Sequence, residues 1–92
     1  MVVVVTPKLL KGLSKSRVID VLESLSRGSK TLTEIQFDIR AQLSTTQRAL
    51  ETLKELGLIT SKRKKIGKRK LTVYEITSEG IRVLEWLKQF EL

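Results

Sequence analysis

At Gly57 the spacing of apolar residues changes abruptly, and few small folds accommodate what lies on its two sides. Before it, Thr46, Leu50, Leu53 and Leu56 recur at three- and four-residue intervals, with Ala49 beside them. That spacing predicts a helix from about Leu43 to Leu56 with one inner face. After Gly57, Leu58–Lys65 and Lys68–Thr77 read as two strands around a turn at Gly67. In the second strand Tyr74 and Ile76 share one face, while Leu71, Val73 and Glu75 share the other. A helix running straight into a hairpin must find its remaining core in the segments on either side.

Those segments supply mostly helices. Val2–Val5 is β-branched and reads as a short strand, free to join a sheet edge of its own or of a partner chain. Thr6-Pro7 has the form of a cap followed by proline at the first helical position, so Pro7–Lys11 is expected to make a turn or two before Gly12 interrupts it. Ser14 is the expected N-cap of the first full helix, which carries Val18, Val21, Leu22 and Leu25 and stops at Gly28. Lys30-Thr31-Leu32 is a short extended link. Thr33-Glu34-Ile35-Gln36 has the form of a capping box with Leu32 as its staple. The helix it opens places Ile35 and Ile39 on one face, and Phe37 is expected to reach the core by rotation of that helix. Arg40-Ala41-Gln42 is a tight connection, and either Gln42 or Ser44 can cap the helix after it. Thr77 caps a last helix from Ser78 to about Phe90, whose apolar set (Ile81, Val83, Leu84, Trp86, Leu87, Phe90) is wider than one core-facing stripe requires.

Charge is distributed as unevenly as hydrophobicity. The 92 residues carry 18 Lys and Arg against 10 Asp and Glu, a formal charge of +8. The run Lys62–Lys70 supplies seven of those charges, with no acid among them. Such a focused patch points to a polyanion, with nucleic acid and an anionic membrane surface as the main candidates. Cysteine and histidine are both absent, so thiolate chemistry, disulfides and imidazole catalysis are excluded. No phosphate-cradling glycine loop or metal-ligand cluster stands out, and an enzyme is not expected. No apolar run approaches the ~20 residues that span a bilayer, and the Val2–Val5 run is too short for a signal peptide. A soluble, cytoplasmic, single-domain protein is the expectation.

Two short helices joined by a tight turn and followed by a hairpin form a helix-turn-helix with a wing. Thr31 to Ala41 resembles the first helix of that motif. Thr45 to Ile59 resembles its recognition helix with the closing Gly57-Leu58-Ile59, and Tyr74-Glu75-Ile76-Thr77-Ser78-Glu79-Gly80 resembles the exit from the wing. Together they resemble winged-helix transcription regulators of the MarR, PadR and ArsR type, found in bacteria, archaea and archaeal viruses. The resemblance runs from Ser14 to about Leu87. It departs from the family pattern at Arg40, where glycine is frequent, at Ala41, where a larger apolar residue is usual, and at Thr46, where a buried valine is usual.

The resemblance implies a mainly helical α+β fold: a winged helix-turn-helix with a C-terminal helix after the wing. Residues 1–13 form an N-terminal strand and turn, 14–77 the DNA-binding domain with its wing at 58–77, and 78–92 a C-terminal helix for dimerisation. It further implies a homodimeric, sequence-specific regulator of double-stranded DNA, a repressor by expectation, with the recognition helix in the major groove. With Thr46, Leu50 and Leu53 facing inward, Ser44, Thr45, Gln47 and Arg48 are expected to face outward, and Thr52 is a further candidate. Gln suits adenine, Arg suits guanine, and hydroxyls suit bases or phosphates. Glu51 and Glu55 repel phosphate, so only the first two turns approach DNA. In the wing, Lys62, Arg63, Lys64, Lys65, Lys68, Arg69 and Lys70 are expected on phosphates, with Arg69 or Arg63 entering a minor groove. Lys8, Lys11, Lys15 and Arg17 form a looser basic cluster, mostly solvated, from which Lys15 or Arg17 can reach phosphate. Val83, Trp86, Leu87 and Phe90 are expected to include the dimer contacts, with a place for Trp86 in the chain's own core as the alternative. No cofactor or metal is implied, and a small-molecule effector has no site that can be named. Two rivals share the basic patch: a winged-helix RNA- or ribosome-binding module, for which stacking aromatics are expected, and a protein-interaction winged helix of the transcription or recombination machinery.

Overall fold

The computed structural model describes residues 5–89. Within them the order is α1 (Pro7–Leu13), α2 (Val18–Ser26), β1 (Lys30–Thr31), α3 (Leu32–Ile39), α4 (Leu43–Glu55), β2 (Ile59–Ile66), β3 (Arg69–Ile76) and α5 (Ser78–Lys88). The strands form one antiparallel sheet in the order β1-β3-β2. This is the mainly helical winged helix-turn-helix expected from the sequence. The strand expected over Val2–Val5 lies largely outside the described residues, and Val5 itself is exposed and not in a strand.

One core joins all the layers. Val18, Val21, Leu22 and Leu25 of α2 are essentially without solvent contact, and they meet Ile35 of α3, Ala49, Leu50 and Leu53 of α4, and Val83 and Leu84 of α5. Leu58 and Ile59 bring the base of the wing into the same cluster, with Tyr74 and Ile76 packed against it. Thr46, in the position of an expected valine, is fully buried too. Its methyl fills the valine's place, and its hydroxyl donates to the Gln42 carbonyl at 2.9 Å, so the burial leaves no polar group unmet.

Several local expectations move by a few residues. Thr6 does cap α1, accepting from the Leu9 N–H at 3.1 Å. The helix then runs through Gly12 rather than stopping there. A Cβ on Gly12 would lie 2.7 Å from Leu56 Cδ1 and 3.2 Å from Thr52 Cγ2, so this glycine permits close helix packing and does not break the helix. Ser14 closes α1 instead of opening α2, its hydroxyl donating to the Lys11 carbonyl at 2.7 Å. The start of α2 falls to Arg17, a left-handed residue without a side-chain cap, which instead pairs with Asp20 at 3.0 Å. The capping box lies two residues earlier than Thr33. Thr31 Oγ1 accepts from the Glu34 N–H at 3.3 Å, and Glu34 Oε1 accepts from the Thr31 N–H at 3.1 Å. Thr31 serves twice, because it also pairs with Val73 in the sheet and must be extended there. Leu32 is therefore the first residue of α3 and not its staple.

Candidate nucleic-acid interface

The turn of the motif is built on Arg40, which ends α3 at φ 52° where glycine is frequent. A left-handed arginine costs roughly 1–2 kcal/mol, which the surrounding packing supports. Gln42 is the residue at the cap position of α4, without a side-chain bond, and Ser44 lies inside the helix. Helical phase then divides α4. Thr46, Ala49, Leu50 and Leu53 are buried, while Ser44, Gln47 and Arg48 are exposed and Thr45 is half-buried. Thr52, expected to face outward, is instead 8% exposed and packs toward Gly12 of α1. Sequence phase alone missed this because α1 covers a side of α4 that a three-helix core would leave open.

A cleft of about 440 Å³ runs along the outer side of α4, between Lys15, Ser16 and Val18 on one wall and Thr45, Arg48, Glu51, Thr52 and Glu55 on the other. Lys15 and Arg48 both line it, so one member of the looser basic cluster borders the recognition surface. Glu51 and Glu55 line the same cleft further along the helix. The cationic end of the α4 surface is thus its N-terminal end, which also carries the positive end of the helix dipole.

The end of α4 locks the wing in place. Leu58 N–H donates to the Leu53 carbonyl and Gly57 N–H to the Lys54 carbonyl, both at 3.0 Å, which makes a Schellman ending. Thr77, just past β3, then ties three elements together. Its hydroxyl donates to the Gly57 carbonyl at 2.8 Å and accepts from the Gly80 N–H at 3.1 Å, and its own N–H donates to the Leu58 carbonyl at 3.0 Å. Gly80 is needed because a Cβ there would lie 2.2 Å from the Leu58 carbonyl oxygen. This explains physically the Thr77-to-Gly80 spacing of the wing exit. Lys54 adds a bond from α4 to Ser61 of β2 at 3.1 Å.

From that clasp the hairpin extends outward in an unbroken register from Ile59↔Ile76 to Ile66↔Arg69. Gly67 turns it at φ 64° and Lys68 has no positive φ, the pattern of a two-residue II′ turn, which only a residue without Cβ enters cheaply. All seven expected wing cations are exposed. Register and alternation put Lys62, Lys64 and Arg69 on one face and Arg63, Lys65 and Lys70 on the other, with Lys68 at the tip. Lys62 pairs with Glu75 at 3.3 Å, and among the described residues the other six make no ion pair. Lys65 lies directly opposite Lys70. Like charges so placed weaken a hairpin.

Behind the motif, Asp38 of α3 accepts from the buried Ser24 hydroxyl of α2 and from Arg27 just past the end of α2, each at 2.5 Å. The serine hydrogen bond first, and then the guanidinium, hold its carboxyl below the usual aspartate range. These bonds tie α3 to α2. Phe37, expected in the core, is 83% exposed beside Arg40 and Ala41. Helical phase is the reason: Phe37 stands two residues from both Ile35 and Ile39, which face the core, and so falls on the opposite side of α3. Of the expected dimer contacts, Val83 is only 2% exposed in the chain's own core and offers no surface to a partner. Trp86 and Leu87 are half-buried against that core, and Phe90 lies outside the described residues. No helix among the described residues is long and apolar enough to cross a membrane.

Comparison with known proteins agrees with this geometry. A family model described as winged helix-turn-helix matches residues 14–92. Among solved structures, the chain is similar to the reduced form of the transcriptional regulator YodB from B. subtilis, with a TM-score of 0.80 and 17% identity over 94% of this chain and 87% of that one. It is also similar to the homodimeric winged helix-turn-helix DNA-binding domain of Mb0332 from Mycobacterium bovis, a possible ArsR-family regulator, with a TM-score of 0.74 and 22% identity over 89% of this chain and 73% of that one. Against Bacillus subtilis PadR in complex with operator DNA the TM-score is 0.71 and the identity 21%, over 84% of this chain and 49% of that one. At these identities the likeness is one of fold. No curated protein sequence matches the chain.

Proposed function

The chain belongs to the winged helix-turn-helix family, and we propose that it is a regulator of transcription that binds double-stranded DNA. One observation carries the reading: a hairpin with seven exposed cations is braced by hydrogen bonds against the end of a helix whose exposed N-terminal face offers Ser44, Gln47 and Arg48. The Lys65–Lys70 repulsion costs the isolated wing stability that a polyanion would return. Similar folds include a regulator bound to operator DNA and a homodimeric DNA-binding domain, which supports duplex DNA and a two-fold dimer here. In this reading Thr45, Gln47 and Arg48 read bases in the major groove, Ser44 holds phosphate, and Lys62–Lys70 neutralises the backbone beside it. Half-sites would lie about one helical turn apart, and the dimer would form around the exposed side of α5, with Trp86, Leu87 and Phe90 as contacts and Val83 excluded. Occupying a promoter, such a dimer represses by blocking polymerase.

Fluorescence anisotropy with duplex, single-stranded and RNA probes over a salt series tests the reading. Duplex DNA should bind tightest, with a log–log salt slope of roughly −4 to −5 if about 4–6 phosphates are neutralised per protomer. Tighter binding of single strands or RNA overturns it. Selection from random duplexes then supplies a preferred site. On that site Arg48→Ala should lose preference over random DNA by about 1–3 kcal/mol, whereas Lys68→Ala with Arg69→Ala should weaken both and flatten the slope. Equal losses on both DNAs for Arg48→Ala refute its base-reading role.

A further inference from the structure

The two faces of the wing differ in kind. On the face of Arg63, Lys65, Lys70 and Thr72 every outer side chain is polar. The opposite face carries an apolar line that becomes more exposed toward the tip: Val73 is 6% exposed, Leu71 36% and Ile66 55%. Ile66 is the last residue of β2, paired with Arg69 beside the Gly67 turn, and neither Ile66 nor Leu71 belongs to the core. Folding gains little from an isoleucine there. We propose that Ile66, backed by Leu71, is an apolar keel that enters the minor groove of duplex DNA. The proposal rests on the DNA-binding reading above and adds a residue that acts without charge.

Charge complementarity selects this occupant. Lys64 and Arg69 share the keel's face and flank it, so a surface that receives Ile66 must be anionic at its rims and apolar inside. The minor groove has that section, with phosphates along both edges and deoxyribose carbons as walls. At about 6 Å wide it is too narrow for a whole two-stranded ribbon but admits side chains at a hairpin tip. Apolar side chains placed this way also wedge base steps apart and kink the duplex. A second copy of this chain is the poorer occupant, since pairing two such faces sets Lys62, Lys64 and Arg69 against their own copies.

The test compares Ile66→Val with Ile66→Thr. Both are β-branched and nearly the same shape, so strand preference is kept and only apolar character changes. Binding to an A·T-rich duplex is measured by anisotropy across a salt series, with and without netropsin, which fills the minor groove. Ile66→Val, which removes a single methylene, should lose less than about fourfold. Ile66→Thr should bind about fourfold or more weakly at every salt concentration with the slope unchanged, because an apolar contact releases no counterions. Netropsin should weaken the parent more than it weakens Ile66→Thr. Indistinguishable binding by the two variants, or a loss accompanied by a flatter slope, overturns the keel while leaving the DNA reading intact. A change of oligomeric state in Ile66→Thr without DNA also overturns it, in favour of a contact between copies. Failure of the parent protein to bind duplex removes the DNA reading and the keel together.

Discussion

Leu53, on the inner face of α4, has no solvent contact, whereas Lys64, on the outer half of the hairpin beyond it, is exposed and makes no ion pair among the described residues. The helical body answers to burial: each inner residue meets several elements at once, and even its polar members, Ser24 and Thr46, have hydrogen-bond partners. The outer wing answers only to backbone pairing and to one glycine turn. The side chains of the body therefore carry stability, and those of the outer wing are free to carry charge. The two meet at the clasp of Gly57, Leu58, Thr77 and Gly80, which transmits the rigidity of the first to the second.

Substitutions should separate these roles. The largest effect is expected in the body, where Leu53→Ala leaves a cavity between α2 and α4 and should lower unfolding free energy in urea by about 3–4 kcal/mol. A loss below about 1 kcal/mol would mean that the core is looser than its burial implies. Gly80→Ala strikes the clasp, forcing a methyl against the Leu58 carbonyl, and should cost about 2–3 kcal/mol. Beyond that cost, surviving folded protein should bind DNA more weakly, because the wing is displaced from α4. Native-like affinity in the folded fraction would show that the clasp does not aim the wing.

Acid should weaken the seam between α2 and α3. Asp38 is held below its ordinary pKa by Ser24 and Arg27, so its contribution is fully present above about pH 4 and is lost as pH falls through its lowered native value. A urea-midpoint series from about pH 5 to about pH 2 should show this loss, and Asp38→Asn should remove that part of the pH dependence. The smallest effect has the opposite sign. Lys70→Thr relieves the repulsion across from Lys65 and should raise stability by a few tenths of a kcal/mol, roughly 0.2–0.5, while weakening duplex binding. A variant that lost both would contradict the division between body and wing.

Much of this was legible beforehand. The inner face of α4, the pattern of α2 and the two strands about Gly67 come from periodicity, and periodicity survives because one core claims every apolar stripe. The misplacements share a cause. Ser14 and Thr33 look like caps by local chemistry, yet the chain at Ser14 is still closing α1, and sheet pairing at Thr31 moves the cap of α3 upstream. Gly12 and Thr52 read as a breaker and an outward residue until α1 is seen to pack on α4. Val83 read as a spare apolar residue because a helix pattern does not reveal how many sides will be covered.

The order of residues, by itself, determined where helices give way to strands, how charge is concentrated at Lys62–Lys70, and which chemistry is absent without cysteine or histidine. Those depend on neighbours along the chain and on composition. Only the tertiary structure decided that Thr77 joins the ends of α4 and the wing, that Lys15 and Arg48 line one cleft, and that Ile66 is left bare at the tip. Each of these depends on which surfaces meet across long stretches of sequence, and periodicity carries no record of that.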